Sequence, residues 1–114
     1  MYAITFDLDI DTLKNSYHND SYNNAYSDIR KVLIEEFGFS WQQGSVYFGG
    51  DTVDAVSCVL AAQELTQRYD WFAVSVKDIR MLRIEDNNDL RPAITKTANN
   101  QKKSPSSEVQ VALH

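Results

Sequence analysis

Six segments in the order strand, helix, strand, strand, helix, strand fill the first 94 residues of this 114-residue chain, and that order restricts the fold more than any other feature. YAITFDL (2–8) is β-branched, aromatic and nearly continuous in its apolar character, which suits a central strand. Asp9 to Asp20 is polar, with Asn15, Asn19 and three aspartates, and is expected to be a loop. Tyr22, Ala25, Tyr26, Ile29, Leu33 and Phe37 recur at three- and four-residue spacing. That predicts an amphipathic helix capped by Asp20 or Ser21 and ended by Gly38. FSWQ and SVYF lie on either side of Gln43-Gly44 as the arms of a tight hairpin. Asp51 is the expected N-cap of a second helix, with Asp54 in its first turn. Val53 to Leu65 is apolar on most faces, so this helix should be the more buried of the two, ending near Tyr69. Ala73 to Glu85 has high strand propensity, but its alternation slips between Val76 and Ile79. Either a bulge interrupts the segment or part of it is helical, and a strand with a bulge is the reading adopted.

Two strand-helix-strand halves in this order make an α+β, ferredoxin-like arrangement, βαββαβ: a four-stranded antiparallel sheet with two helices on one face. The other face would expose a large apolar patch, so a homodimer is expected. Beyond Ile94 the composition changes. TKTANNQKKSPSS, from Thr95 to Ser107, has one alanine and no larger apolar group, too little to offset the entropy of ordering. The expected organisation is a domain at 1–94 and a flexible polar C-terminal tail at 95–114, docking at most through Val109, Val111 and Leu113.

Several function classes drop out. Cys58 is the only cysteine, so the chain can form no internal disulfide and no cysteine-based zinc cluster. The start, MYAITFDLDID, has neither a basic stretch nor a long apolar run, and the longest apolar stretch, Cys58 to Ala62, is far short of a membrane span. A soluble, cytoplasmic protein without a membrane partner is expected. His18 and His114 both lie in segments expected to be mobile, which weakens any histidine-based nuclease or metal chemistry. Gly49-Gly50 lacks the Lys-Ser/Thr of a phosphate-binding loop.

The residues that could carry chemistry are few. Asp7, Asp9 and Asp11 alternate around the end of the first strand, where they would share a face and suit a hard divalent cation such as Mg²⁺ if the strand persists. Asp9 and Asp11 read equally as a solvated loop or turn cap. Asp7 differs because it interrupts ITFDL, so a partly buried carboxylate in need of a partner, a cation or a proton is expected there. Gln43 and Ser45 flank Gly44, which permits close backbone approach to a phosphate, although a plain turn has the same composition. Arg80 and Arg83 suit bidentate phosphate binding, or else pair internally with Asp78, Glu85 and Asp86. Trp41, Trp71 and several tyrosines are available either to stack on bases or to pack a core.

MYAITFDLD, SYNNAYSDIRKVL, GFSWQQGSVYFG, AVSCVLAAQELT and SVKDIRMLRIEDNNDL, in that order, resemble the virulence-associated protein D (VapD) family from Met1 to about Ile94. That family is related to the small CRISPR-associated ferredoxin-like ribonucleases. The resemblance implies a homodimeric endoribonuclease acting on single-stranded RNA, in some cases the toxin of a toxin–antitoxin pair. It implies catalytic roles for Asp7 and Ser45, and leaves Asp9 at a less constrained position.

Two routes follow for Asp7. A two-fold axis near the first-strand ends would bring two Asp7 side chains together on one Mg²⁺, which would polarise a phosphate and activate water. Alternatively, Asp7 acts as general base toward a 2′-hydroxyl while Ser45 and an arginine, with Gln43 nearby, hold the phosphate. The rival reading is a non-catalytic dimeric module that binds RNA or a partner such as an antitoxin. The net charge of −5 bears on all of these. Without the tail the first 94 residues hold eight basic and fifteen acidic side chains, a charge of −7. Such a surface repels RNA at long range, so capture must rely on a local arginine patch, stacking or the basic stretch of the tail, and should be weak and salt-sensitive.

Overall fold

β1 (Tyr2–Leu8) runs through the middle of a sheet ordered β2-β3-β1-β4, with β2 at Phe39–Gln43, β3 at Val46–Gly49 and β4 at Val76–Arg83. The computed structural model describes residues 1–103. Every pairing is antiparallel, with Ile4 opposite Tyr47 on one side of β1 and opposite Met81 on the other. Among the described residues there are also five helices: α1 (Ile10–Ser16), α2 (Asn24–Glu35), α3 (Ala55–Arg68), α4 (Asp70–Ser75) and α5 (Arg91–Lys103). Taking α2 and α3 as its two main helices, this is the expected α+β order with additions.

Alternation in β1 sends Ile4, Phe6 and Leu8 into the core, where they meet Tyr47, Phe39, and Ile29, Val32 and Leu33 of α2. Burying each such side chain contributes about 1.5–3 kcal/mol. α2 ends where expected: Gly38 follows it with φ 76°, a conformation that costs a glycine nothing. Gly44, with φ 49°, turns the β2–β3 hairpin. Gly49 serves a different purpose, since a Cβ there would lie 2.7 Å from the Val53 side chain. Gly49→Ala should therefore cost about 1–3 kcal/mol through overpacking. Urea denaturation of the two proteins measures this directly.

Several local expectations need correction. The polar stretch after Asp9 is not all loop, because Ile10 to Ser16 forms α1. Asp9 caps it, the carboxylate accepting from the Thr12 N–H at 3.0 Å, and Leu13 buries completely. Tyr17, just past its end, is buried and donates its hydroxyl to Asp28 of α2 at 2.8 Å. Burial and that carboxylate push the Tyr17 phenol up to about 12. Neither Asp20 nor Ser21 caps α2 through its side chain; the cap is Asn23, without a side-chain bond. For α3 the N-cap is Asp54, not Asp51, and its carboxylate accepts from both the N–H and the hydroxyl of Ser57.

α3 is less covered than its composition suggested. Cys58, Ala61 and Leu65 face the core, whereas Val56, Val59 and Leu60 remain 64%, 52% and 50% exposed, because the sheet and neighbouring helices cover only one of its sides. The segment from Ala73 contains both features weighed for it. Ala73 to Ser75 closes α4, and the strand begins only at Val76. The register then shifts by one residue beside Lys77, as Leu8 pairs with Val76 and Asp7 with Asp78. At the C-terminal end, Arg91–Lys103 is helical, and Thr95 to Lys103 therefore lies in α5. Val109, Val111 and Leu113 lie outside the described residues.

The two capped helices make a pH prediction. Backbone hydrogen bonds from Thr12 and Ser57 hold Asp9 and Asp54 below the ordinary value of 3.8. A depressed folded pKa contributes stability that is complete above the unfolded value and lost as pH falls through the folded one. Tm should therefore fall as pH drops below about 3.8, and Asp54→Asn should flatten that limb of a calorimetric pH series.

Candidate active site

The carboxyl end of β1, the β2–β3 turn and the start of β4 meet at one end of the sheet. Their meeting is set by register. Thr5 faces Val46, and the next rung is held by the Phe6 N–H donating to the Ser45 carbonyl at 3.2 Å, so the following rung carries Asp7 toward Gly44. On its other side Asp7 faces Asp78, and Thr5 faces Arg80. Asp7, Asp78 and Arg80 therefore share the sheet face opposite the main helices, Asp7 and Asp78 directly across from one another.

Asp7 is exposed, contrary to the expectation of partial burial. Leu8, beside it, takes the core position, and the pleat turns Asp7 outward at the strand end. Its carboxylate is within electrostatic reach of Tyr26 on α2, whose phenol is raised chiefly by burial and further by that charge. Asp78 is held by Arg80, whose Nε lies 3.1 Å from its Oδ2. Asp78 was missed as a site residue because sequence periodicity carries no information about which rung of a distant strand faces Asp7.

Among the other sequence candidates, Ser45 is half-buried in the turn beside the Phe6–Asp7 step, and Gln43 ends β2 there, exposed. Arg83 lies elsewhere. It pairs with Tyr2, five rungs from Asp7, or about 17 Å at the antiparallel rise per residue. Its guanidinium lies 3.6 Å from Glu85. Asp9 and Asp11 leave the strand for α1, Asp9 as its cap and Asp11 in its first turn, so the three alternating carboxylates do not gather on one face.

Among the described residues no group of three or more His, Cys, Asp or Glu side chains gathers as a metal cage. Mg²⁺ asks for less, commonly one or two carboxylates together with waters and substrate phosphates. The facing pair Asp7 and Asp78 fits that smaller demand. A carboxylate near an arginine can also take a proton from an attacking oxygen while the guanidinium holds a phosphate.

Comparison with known proteins fits this geometry. Residues 1–91 match the family model described as CRISPR associated protein Cas2. A Riemerella anatipestifer protein named Endoribonuclease VapD 2 is 55% identical over 95 residues, 83% of this chain and 100% of its own length. A Helicobacter pylori protein named Endoribonuclease VapD homolog is 57% identical over 94 residues, 82% of this chain and 96% of its own. The chain belongs to the Cas2 family and, within it, to the VapD proteins. A third VapD protein, Endoribonuclease VapD from Dichelobacter nodosus, is 45% identical over 98 residues, 86% of this chain and 100% of its own length. The matched Cas2 region thus includes all four strands, the hairpin and the Asp7 end of the sheet, and it stops at the first residue of α5.

Proposed function

We propose that this chain is an endoribonuclease for single-stranded RNA that works as a homodimer, with Asp7 receiving the proton of the attacking oxygen. The observation that carries the reading is identity above one half, over nearly their whole length, to proteins named endoribonuclease VapD. In this reading Arg80 and the backbone around Gly44 and Ser45 hold the scissile phosphate, Gln43 contacts the strand as it enters, and charge developing on the phosphate is offset by the guanidinium. Asp7 and Asp78 would hold Mg²⁺ where the ion takes part, and it would then polarise the phosphate. Supporting a dimer, α3 and the β4 edge expose Val56, Val59, Leu60 and Met81, with Val59 and Met81 lining one apolar groove, a surface suited to a second copy. Light scattering should give twice the monomer mass.

No helix among the described residues is long and apolar enough to cross a membrane, and the cytoplasm, where RNA is available, is the proposed compartment. A toxin role, restrained by an antitoxin protein, follows as a further proposal. Induced expression in a bacterial host should stop growth, whereas undiminished growth with active enzyme present would contradict it.

The direct test is a labelled single-stranded RNA beside DNA of the same sequence. Internal cuts in the RNA alone are expected, and an uncut RNA would overturn the reading in favour of a binding module. The product ends identify the nucleophile: a 2′,3′-cyclic phosphate for the 2′-hydroxyl, a 5′-phosphate for water. Arg80→Ala should weaken binding about tenfold and reduce the salt slope of log K by about one, as expected for a lost phosphate contact. Arg83→Ala, distant from Asp7, should leave cleavage within about twofold of wild type. Equal losses at the two arginines would place the phosphate elsewhere on β4.

A further inference from the structure

We propose that Trp41 is the stacking platform for a base of the RNA strand, a nucleobase subsite held rigid by Arg30; the proposal rests on the ribonuclease reading and adds to it a position that senses the base. Trp41 lies on the edge strand β2, opposite Tyr47, and is 44% exposed. Its ring is nevertheless held at two points. The indole N–H donates to the Gly44 carbonyl at 2.9 Å, and the Arg30 guanidinium carbon lies 4.0 Å from the ring centroid. Arg30 is anchored in turn, its Nε donating to the hydroxyl of the buried Tyr47 at 3.4 Å. One face of the indole therefore carries a cation while much of the ring stays open to solvent. An exposed, flat, preoriented aromatic on an edge strand is a costly feature for packing alone. It is suited to a nucleobase, because every base has a π-face to stack and little side-chain entropy remains to be lost.

Its position fits the chemistry. The indole edge binds Gly44, the residue that the β1–β3 register carries toward Asp7. Through Tyr47, Trp41 stands level with Ile4, two strands across and three rungs along from Asp7, about 14 Å between backbone positions, and on the sheet face that carries the helices. The indole edge reaches the hairpin end at Gly44, so an RNA strand wrapping round that end from one sheet face to the other would place a base on Trp41 roughly two or three nucleotides from the phosphate at Asp7. The residue on the other face of the ring, Arg30, adds positive potential to a domain that is otherwise acidic.

The experiment uses the full chain and a single-stranded RNA with one mapped cut, prepared also with a single abasic residue at each flanking position. Wild type should lose about tenfold in kcat/KM at one of those positions and little at the others. Trp41→Ala should lose about tenfold on the intact RNA, chiefly in KM, and should no longer distinguish that abasic strand. Trp41→Phe keeps a flat ring without the N–H and should stay within about threefold of wild type. A Phe variant as impaired as Ala would mean that the indole serves only to brace the hairpin, and an Ala variant that still senses the abasic position would also overturn the platform. Fluorescence supplies a readout independent of cleavage. Trp71 is buried, so quenching of tryptophan emission when the same RNA is added to Asp7→Asn protein reports Trp41. Quenching without any cleavage by wild type would keep the platform and remove the nuclease. Cleavage without quenching or an abasic effect would remove the platform and keep the nuclease.

Discussion

Trp71→Ala should destabilise the fold by about 3–5 kcal/mol, the largest loss expected from any single truncation in this chain. Trp71 is 2% exposed and joins three aromatic neighbours, with ring centroids 5.6 Å from Tyr17, 4.9 Å from Tyr69 and 6.2 Å from Phe72. It lies on α4 and meets Tyr17 just past the end of α1, so its removal opens a cavity where these two short helices meet the core. A domain of this size has about 5–15 kcal/mol in total. Tm should drop by roughly 15 °C or more. A cost below about 1 kcal/mol in a urea titration would mean that α1 and α4 are not docked through this ring.

α1 and α4 are also the elements least legible in the sequence, for a physical reason. α1 spans seven residues and buries only Leu13, so its periodicity is too brief to stand out from the polar residues around it. In α4 the β-branched Val74 resembles the strand residues that follow, and only the tertiary contacts of Trp71 and Phe72 decide where helix gives way to β4. By contrast β1, the α2 stripe, the Gly38 stop and the Gly44 hairpin could be read directly, because each is set by local alternation, spacing or backbone freedom. The site divides the same way. Asp7 stood out as a charge within an apolar run, yet its outward direction depends on the pleat, and its partner Asp78 depends on the register of a strand seventy residues away. The same register separates Arg80, two rungs from Asp7, from Arg83 at the far end of the strand.

Acidity has the last word on how RNA is held. A first 94 residues of charge −7 cannot attract phosphate at a distance, and in the proposed reading the grip comes from Arg80, a stacked base on Trp41 and close backbone contacts. The catalytic contribution of Asp7 is separable from that grip. As an exposed residue facing another carboxylate, Asp7 should cost little when replaced by the isosteric Asn, within about 0.5 kcal/mol, and relief of the like-charge pair with Asp78 could make the change favourable. Cleavage should behave in the opposite way. Loss of a general base typically lowers the rate by about 10²–10⁴, and loss of a carboxylate ligand from a shared Mg²⁺ would also be severe. RNA affinity should be unchanged or slightly higher, since a negative charge beside the phosphate has been removed.

End-labelled single-stranded RNA incubated in parallel with wild type and Asp7→Asn, at matched Tm, tests the central claim most directly. Internal cuts by wild type, reduced at least about a hundredfold in the variant, are the predicted result; equal cutting by the two proteins would contradict it.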